Sequence, residues 1–139
     1  VFFTHYTSPK GEQLAANPVA SATLWWPHLM RQVRAVGAVT KLTRQENETY
    51  FAKRPRNSQL GAWASRQSAP IVSHDDLLEV AAQASERFEG KDVPCPPEWG
   101  GYRIDVDEFE FWQGQSGRLH DRVLAQRNVD GWNAIHIQP

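Results

Sequence analysis

Cysteine is nearly missing from this chain, with Cys95 the only one in 139 residues. A single thiol cannot close an internal disulfide, and no pattern of a secretory signal is present, so a reducing cytoplasm is the expected compartment. No apolar run approaches the ~20 residues that span a bilayer, which excludes a helical membrane span. The histidines are scattered at positions 5, 28, 74, 120 and 136. Without paired His or Cys-x-x-Cys spacing, a metal site has no sequence support. G-x-S-x-G, a P-loop and G-x-G-x-x-G are all absent. Cys95 sits between prolines, with no local feature that lowers a thiol pKa. A chain with aromatic and anion-binding groups but no obvious nucleophile suits chemistry carried by a bound cofactor.

Apolar residues make up 40% and charged residues 22%, the balance of a globular domain rather than a disordered tail. Net charge is −1, yet cations fall in short groups: Arg31 with Arg34, then Lys53, Arg54 and Arg56, then Arg118 and Arg122. Such grouping suits a small anionic ligand better than a nucleic-acid backbone, which draws a broadly basic face. The competing reading is ordinary solvated charge.

Val1 to Tyr6 reads as a strand, and a strand at the first residue points to a chain cut inside a sheet. Ser8-Pro9 with Glu12 opens a short helix to about Asn17, stopped by Pro18. Val19 to Trp26 and Leu29 to Leu42 alternate as strands of one antiparallel meander around Pro27-His28. Thr43 and Glu46 form a capping box opening a helix through about Lys53, ended by Pro55. A second short helix covers Ser58 to Ser65, followed by a loop from Gln67 to Val72. Ser73 and Asp76 open the longest helix, with Leu77, Val80, Ala81, Ala84 and Phe88 at helical spacing and Gly90 closing it. Tyr102 to Val106, Glu108 to Gln113, Arg122 to Arg127 and Trp132 to Ile137 are further strands, the last two joined at Asp130-Gly131. The fold class is α+β: a mainly antiparallel β-barrel with peripheral helices, in one domain.

Two stretches carry candidate chemistry. Y-F-A-K-R-P-R-N-S at Tyr50 to Ser58 places Arg54, Arg56 and the Ser58 hydroxyl around a helix start, a combination that suits phosphate. A solvated helix connection is the equal alternative. In E-F-W-Q-G-Q-S-G-R-L-H-D-R, Glu110 to Arg122, alternation puts Arg118, His120 and Arg122 on one side, where they line a pocket or decorate a surface hairpin.

These motifs resemble the pyridoxamine 5′-phosphate oxidase family. The resemblance runs through F-F-T-H at Phe2, S-P-K-G at Ser8, R-Q-V at Arg31, Y-F-x-x-R-P-R-x-S-Q-L-G-A-W at Tyr50, S-R-Q-S at Ser65 and W-G-G-Y at Trp99. It continues through E-F-W-Q-G and R-L-H-D-R, so it covers the whole chain in order. It implies an FMN-binding split barrel over residues 1–139, lacking the family's N-terminal segment, with 99–139 as a C-terminal dimerisation and substrate region. It further implies a homodimer holding FMN at the subunit interface. Carried over by motif, Tyr50, Arg54 and Ser58 bind the substrate phosphate, and Arg118 and His120 are the catalytic pair at the pyridine ring. Phe3, Thr4, Lys10, Gln32, Gln67, Ser68, Trp112 and Arg122 contact FMN. The implied reaction oxidises pyridoxine or pyridoxamine 5′-phosphate to pyridoxal 5′-phosphate, with O2 as acceptor and H2O2 as product, and involves no nucleic acid or membrane.

Three features depart from the family pattern: the absent N-terminal segment, Pro9 where an arginine is usual, and His136 where an arginine is usual. The first two keep open a non-catalytic flavin- or pyridoxal-phosphate-binding dimer. A paralogue of phenazine-biosynthesis type is a further alternative, disfavoured by the intact Tyr50, Arg54 and Ser58 set.

Overall fold

A computed structural model describes all residues, Val1–Pro139. Six strands and four α-helices make an α+β fold whose strand pairings are antiparallel. No helix is long and apolar enough to cross a membrane. The chain clusters into two compact units, one of Val1–Asn17 with Lys41–Arg103, the other of Pro18–Thr40 with Ile104–Pro139.

In the first unit, β1 (Phe2–His5) pairs with the start of β4 (Trp99–Gln113), in a register from Phe2 opposite Tyr102 to His5 opposite Trp99. The two glycines of W-G-G-Y permit close packing here. A Cβ on Gly100 would lie 2.1 Å from the Tyr6 hydroxyl, and one on Gly101 2.6 Å from Leu42. Helix α1 (Pro9–Ala16) starts as its sequence dictates: the Ser8 side chain accepts from the Gly11 N–H, and Pro9 occupies the first turn, where no N–H is needed.

Helix α2 (Arg44–Ala52) has the full capping box between Thr43 and Glu46. Hydrogen bonds from Thr43 and then Arg103 hold the Glu46 carboxyl down at about 2. Helix α3 (Arg56–Ala64) begins two residues before the expected Ser58, because Pro55 supplies the extended backbone from which it starts. Helix α4 (His74–Arg87) is capped by Ser73 and followed by Gly90 at φ +66°, where glycine carries no steric penalty.

Phe51, Ala62, Phe88, Val93, Cys95 and Trp99 form the core of this unit, with Phe3, Leu60 and Trp63 packed against it. Side chains of phenylalanine size contribute about 1.5–3 kcal/mol each when fully buried. The proline-rich Val93–Pro97 stretch lacks a ladder of its own, and Arg44 holds it by donating to the carbonyls of Cys95 at 2.6 Å and Pro96 at 2.9 Å. Burial raises the Cys95 thiol pKa, which keeps it protonated and unreactive.

The second unit is a meander in the order β2 (Val19–Trp26), β3 (Arg31–Lys41), β4, β5 (Asp121–Asn128), β6 (Gly131–His136). Its strand path is open, ending at β2 and β6. Three expectations need correction. Tyr102 to Val106 and Glu108 to Gln113 are one strand, since Asp107 continues the extended backbone without a break. Leu29 belongs to a short 3-10 turn, Pro27–Leu29, so β3 begins at Arg31 after Met30 takes a left-handed conformation. The last hairpin does turn near Asp130, but Asn128 pairs with Gly131, so Val129 and Asp130 are its central residues. Gly131 instead absorbs a φ of +129° where β6 begins.

Candidate functional site

Tyr50 and Arg54 lie one helical turn apart, because the Arg54 N–H still donates to the Phe51 carbonyl just beyond α2. With Val1, Phe2, Phe3 and Trp99 they line a cavity of about 630 Å³. The Phe3 and Tyr50 rings stack at 3.8 Å with 5° between their planes, and Trp99 continues the stack 5.1 Å from Phe3. The Arg54 guanidinium lies 4.8 Å from the Trp99 ring centre and 5.5 Å from that of Phe51. These aromatic faces hold the cation but accept no hydrogen bond from its edge, and Arg54 Nη1 is buried without a partner. A buried donor left unpaired costs about 1–3 kcal/mol, more when charged, and an anion in the cavity removes that cost. His5 responds to the same cation: burial first, and then Arg54, push its pKa below the ordinary imidazole value.

Two neighbours expected in this cradle stand apart from it. Arg56 donates to the carbonyls of Phe88 at 2.6 Å and Lys91 at 2.9 Å, tying α3 to the end of α4, so it is a structural bracket. Ser58 sits half-buried in the first turn of α3 and does not line the cavity.

Thr4 and Gln67 do come together. The Gln67 carbonyl oxygen accepts from the Thr4 hydroxyl at 2.7 Å and the His5 N–H at 2.9 Å, leaving its amide NH2 as the side chain's free donor. Ser68 follows at φ +66°. A left-handed non-glycine residue costs roughly 1–2 kcal/mol and marks a backbone held in place by its surroundings. Lys10 lies 5.8 Å over the Phe2 ring.

In the second unit, Gln32 and Trp112 line a cavity of about 420 Å³ with Trp26, Val33, Phe111 and Gln113. His120 packs on Trp112 at 4.7 Å between ring centres, and its Nδ1 accepts from the Gln115 N–H at 3.2 Å. Arg122 lies opposite Trp112 in the ladder. Its Nε and Nη2 reach the Glu110 carboxylate at 2.8 and 2.7 Å, and its Nη1 donates to the Gln138 carbonyl at 2.9 Å. Glu110 is 7% exposed and also accepts from Arg34 at 3.0 Å. Burial alone would raise its pKa, but hydrogen bonds from Arg122 and Arg34 outweigh it and the net shift is downward.

The expected alternation of Arg118, His120 and Arg122 on one strand face does not hold. Residues Ser116–Arg118 form a 3-10 turn, Arg118 is left-handed at φ +62°, and β5 starts only at Asp121. Arg118 is exposed at the turn and His120 is folded back on Trp112.

For the flavin that the resemblance implies, each unit by itself offers fitting chemistry: the first a free amide at Gln67, the second a cation held by Glu110 at Arg122 and an aromatic plane at Trp112. Trp99 beneath Arg54, Glu110 beside Arg122 and Gln113 beside Arg31 received no role from their motifs. For Glu110 a signal existed, a carboxylate flanked by Phe109 and Phe111 on an alternating strand.

A family model described as pyridoxamine 5′-phosphate oxidase matches residues 1–87, and one described as the pyridoxine 5′-phosphate oxidase C-terminal dimerisation region matches residues 99–139. The chain is 48% identical over 139 residues to a pyridoxine/pyridoxamine 5′-phosphate oxidase of Rubrobacter xylanophilus, covering 100% of this chain and 64% of that protein. It is 52% identical over 139 residues to the protein of the same name in Mycolicibacterium smegmatis, covering 99% and 59%. The chain therefore spans about three fifths of the length of these relatives. Among solved structures, PhzG from Burkholderia lata, in complex with tetrahydrophenazine-1-carboxylic acid, superposes with a TM-score of 0.90 at 33% identity, covering 99% of this chain and 67% of that one. A pyridoxamine 5′-phosphate oxidase-related, FMN binding protein from Nostoc punctiforme shares the fold, with a TM-score of 0.73 at 16% identity over 99% and 72% of the two chains. By its family models and its relatives, the chain belongs to the pyridoxine/pyridoxamine 5′-phosphate oxidase family.

Proposed function

We propose that this chain forms the greater part of an FMN-dependent oxidase that converts pyridoxine or pyridoxamine 5′-phosphate to pyridoxal 5′-phosphate. One O2 is reduced to H2O2 per turnover, and the amine substrate also takes up water and releases ammonia. FMN, when bound, supplies the two-electron acceptor. Phe3, Thr4, Lys10, Gln32, Gln67, Ser68, Trp112 and Arg122 are the residues proposed to hold it. Tyr50 and Arg54 take the substrate phosphate at the cavity they line, and Ser58 is assigned to it by its motif alone. Arg118 and His120 orient the pyridine ring and balance charge that develops on it.

The observation that carries this reading is the buried, unpartnered Nη1 of Arg54 beside the Phe3–Tyr50–Trp99 stack. A substrate phosphate supplies the missing acceptor. The reading includes a homodimer, supported by the match of 99–139 to a dimerisation region and by Phe111, Trp132 and Ile135 within it, each 45–48% exposed. The cytoplasm remains the proposed compartment.

The test is oxygen uptake by purified, FMN-supplemented protein given pyridoxine 5′-phosphate or pyridoxine. Uptake that depends on the phosphate supports the reading; a preparation that retains no flavin and consumes no oxygen refutes it. The superposition with PhzG favours a second reading, oxidation of a reduced phenazine-type ring. Turnover of an unphosphorylated reduced tricycle in preference to pyridoxine 5′-phosphate would select it.

A further inference from the structure

The loop between β4 and β5, residues 114–120, carries Arg118 and His120. It has little internal structure: a 3.3 Å hydrogen bond from the Leu119 N–H to the Ser116 carbonyl, a 3.2 Å one from the Gln115 N–H to His120 Nδ1, and left-handed backbone at Gly117 and Arg118. The direction in which it projects Arg118 is therefore set at its roots.

The C-terminal root is the Gln115 N–H bonded to His120 Nδ1, with the imidazole against Trp112. The N-terminal root is denser. Gln113 Nε2 donates to the carbonyls of Leu29 at 3.1 Å and Met30 at 3.3 Å, while its Oε1 accepts from Arg31 Nε at 2.6 Å. The Gly114 N–H adds a 2.7 Å bond to the same Met30 carbonyl. Met30 presents that carbonyl from a left-handed conformation, φ 49° and ψ 44°. A Cβ on Gly114 would lie 2.9 Å from the Trp112 ring and 3.1 Å from the Met30 side chain, so a larger residue there would have to displace one of them.

We propose that Gln113 is a positioning residue for the reaction: its side-chain amide clamps the root of the 114–120 loop to the β2–β3 turn and thereby holds Arg118 and His120 where the substrate ring meets them. This rests on the reading of Arg118 and His120 given under the proposed function. Gln113 itself touches no reacting atom. Its amide is the one side chain that bridges both backbone carbonyls of the turn and the Arg31 guanidinium. A hydrophobic residue at this position would leave the loop attached through Gly114 alone.

Gln113→Glu tests this, because it keeps the shape and the acceptor for Arg31 but removes both donors. Gln113→Ala is the second variant, and Arg118→Ala the reference for the site. In the flavin-free protein, backbone hydrogen exchange at 114–120 is expected to quicken by about fivefold or more, with residues 123–128 of β5 unchanged. In the FMN-loaded protein, kcat for pyridoxine 5′-phosphate is expected to fall about tenfold while FMN affinity moves less than about threefold. Unchanged exchange at 114–120, equal acceleration throughout β5, or a kcat of the unsubstituted protein overturns the proposal. A normal Gln113→Glu beside an impaired Arg118→Ala refutes the positioning role alone. Full turnover by Arg118→Ala refutes the reading of the site and the positioning role with it.

Discussion

Arg54 lies over the face of Trp99, 4.8 Å from guanidinium carbon to ring centre, and keeps one nitrogen buried and unpaired. The aromatic face fixes the cation in direction without satisfying its edge, which is the condition of a preformed anion receptor. Replacing Arg54 with Gln removes the charge while keeping polar atoms in place. A charge-assisted hydrogen bond contributes about 1.5–3 kcal/mol, so kcat/KM for pyridoxine 5′-phosphate is expected to fall roughly 10- to 150-fold. Steady-state oxygen uptake checks this, and unphosphorylated pyridoxine should show no comparable loss.

His5 reports on the same cavity. Its pKa lies below the ordinary value of about 6.5, because of burial and then of Arg54. The folded state therefore takes up a proton less readily than the unfolded chain. The stability this confers is complete above the unfolded pKa and is lost as pH falls through about 6.5 toward the folded value. Thermal unfolding across that window should show the loss, and His5→Gln should reduce it. An anion beside Arg54 offsets the cation, so inorganic phosphate should move the His5 midpoint upward in an NMR titration. A midpoint insensitive to phosphate, or one displaced downward, would place the anion elsewhere.

Glu110 joins Arg34 and Arg122 across three strands of the second unit, and it is the most buried member of that set. Its lowered pKa gives the opposite limit of the pH range. The stabilisation is present above the unfolded carboxylate value of about 4.3 and disappears as pH falls below it through the folded pKa. At neutral pH, Glu110→Gln should cost about 1.5–3 kcal/mol by chemical denaturation, the range for hydrogen bonds to charged groups. A double-mutant cycle with Arg122→Gln should return a coupling of similar sign, since the two side chains share two contacts under 3 Å. The same substitution should loosen FMN if Arg122 contacts it.

The local elements were legible where one residue type leaves a single option. Ser8, Thr43 and Ser73 each cap a helix start by accepting from the backbone N–H three residues on, and all three helices begin there. What escaped was decided at longer range. Arg56 looked like a phosphate ligand because its neighbours are cationic, yet the carbonyls that occupy it come from residues 88 and 91. The alternation rule failed at Arg118 because the rule presumes extended backbone, and both Gly117 and Arg118 are left-handed. Tyr50 and Arg54 share one cavity without Ser58, and the Trp99 ring beneath Arg54 comes from a packing 45 positions distant in the chain.

Two glycines separate packing from propensity. At Gly37 in β3, an added Cβ would lie 2.0 Å from the Asp105 carbonyl oxygen and 2.8 Å from the Val106 Cα, both backbone atoms of β4. Neither can move without opening the ladder between the two strands, so Gly37→Ala should reach or exceed the upper end of the roughly 1–3 kcal/mol typical of overpacking. Gly61 lies inside α3 with nothing within 4 Å of its notional Cβ. There the substitution adds no clash and reduces the freedom of the unfolded chain, so Gly61→Ala should stabilise by about 0.5–1 kcal/mol. Urea unfolding midpoints of the two variants should therefore move in opposite directions. A Gly37→Ala protein with an unshifted midpoint would mean that β3 and β4 do not approach each other as closely as the Gly37–Asp105 contact requires.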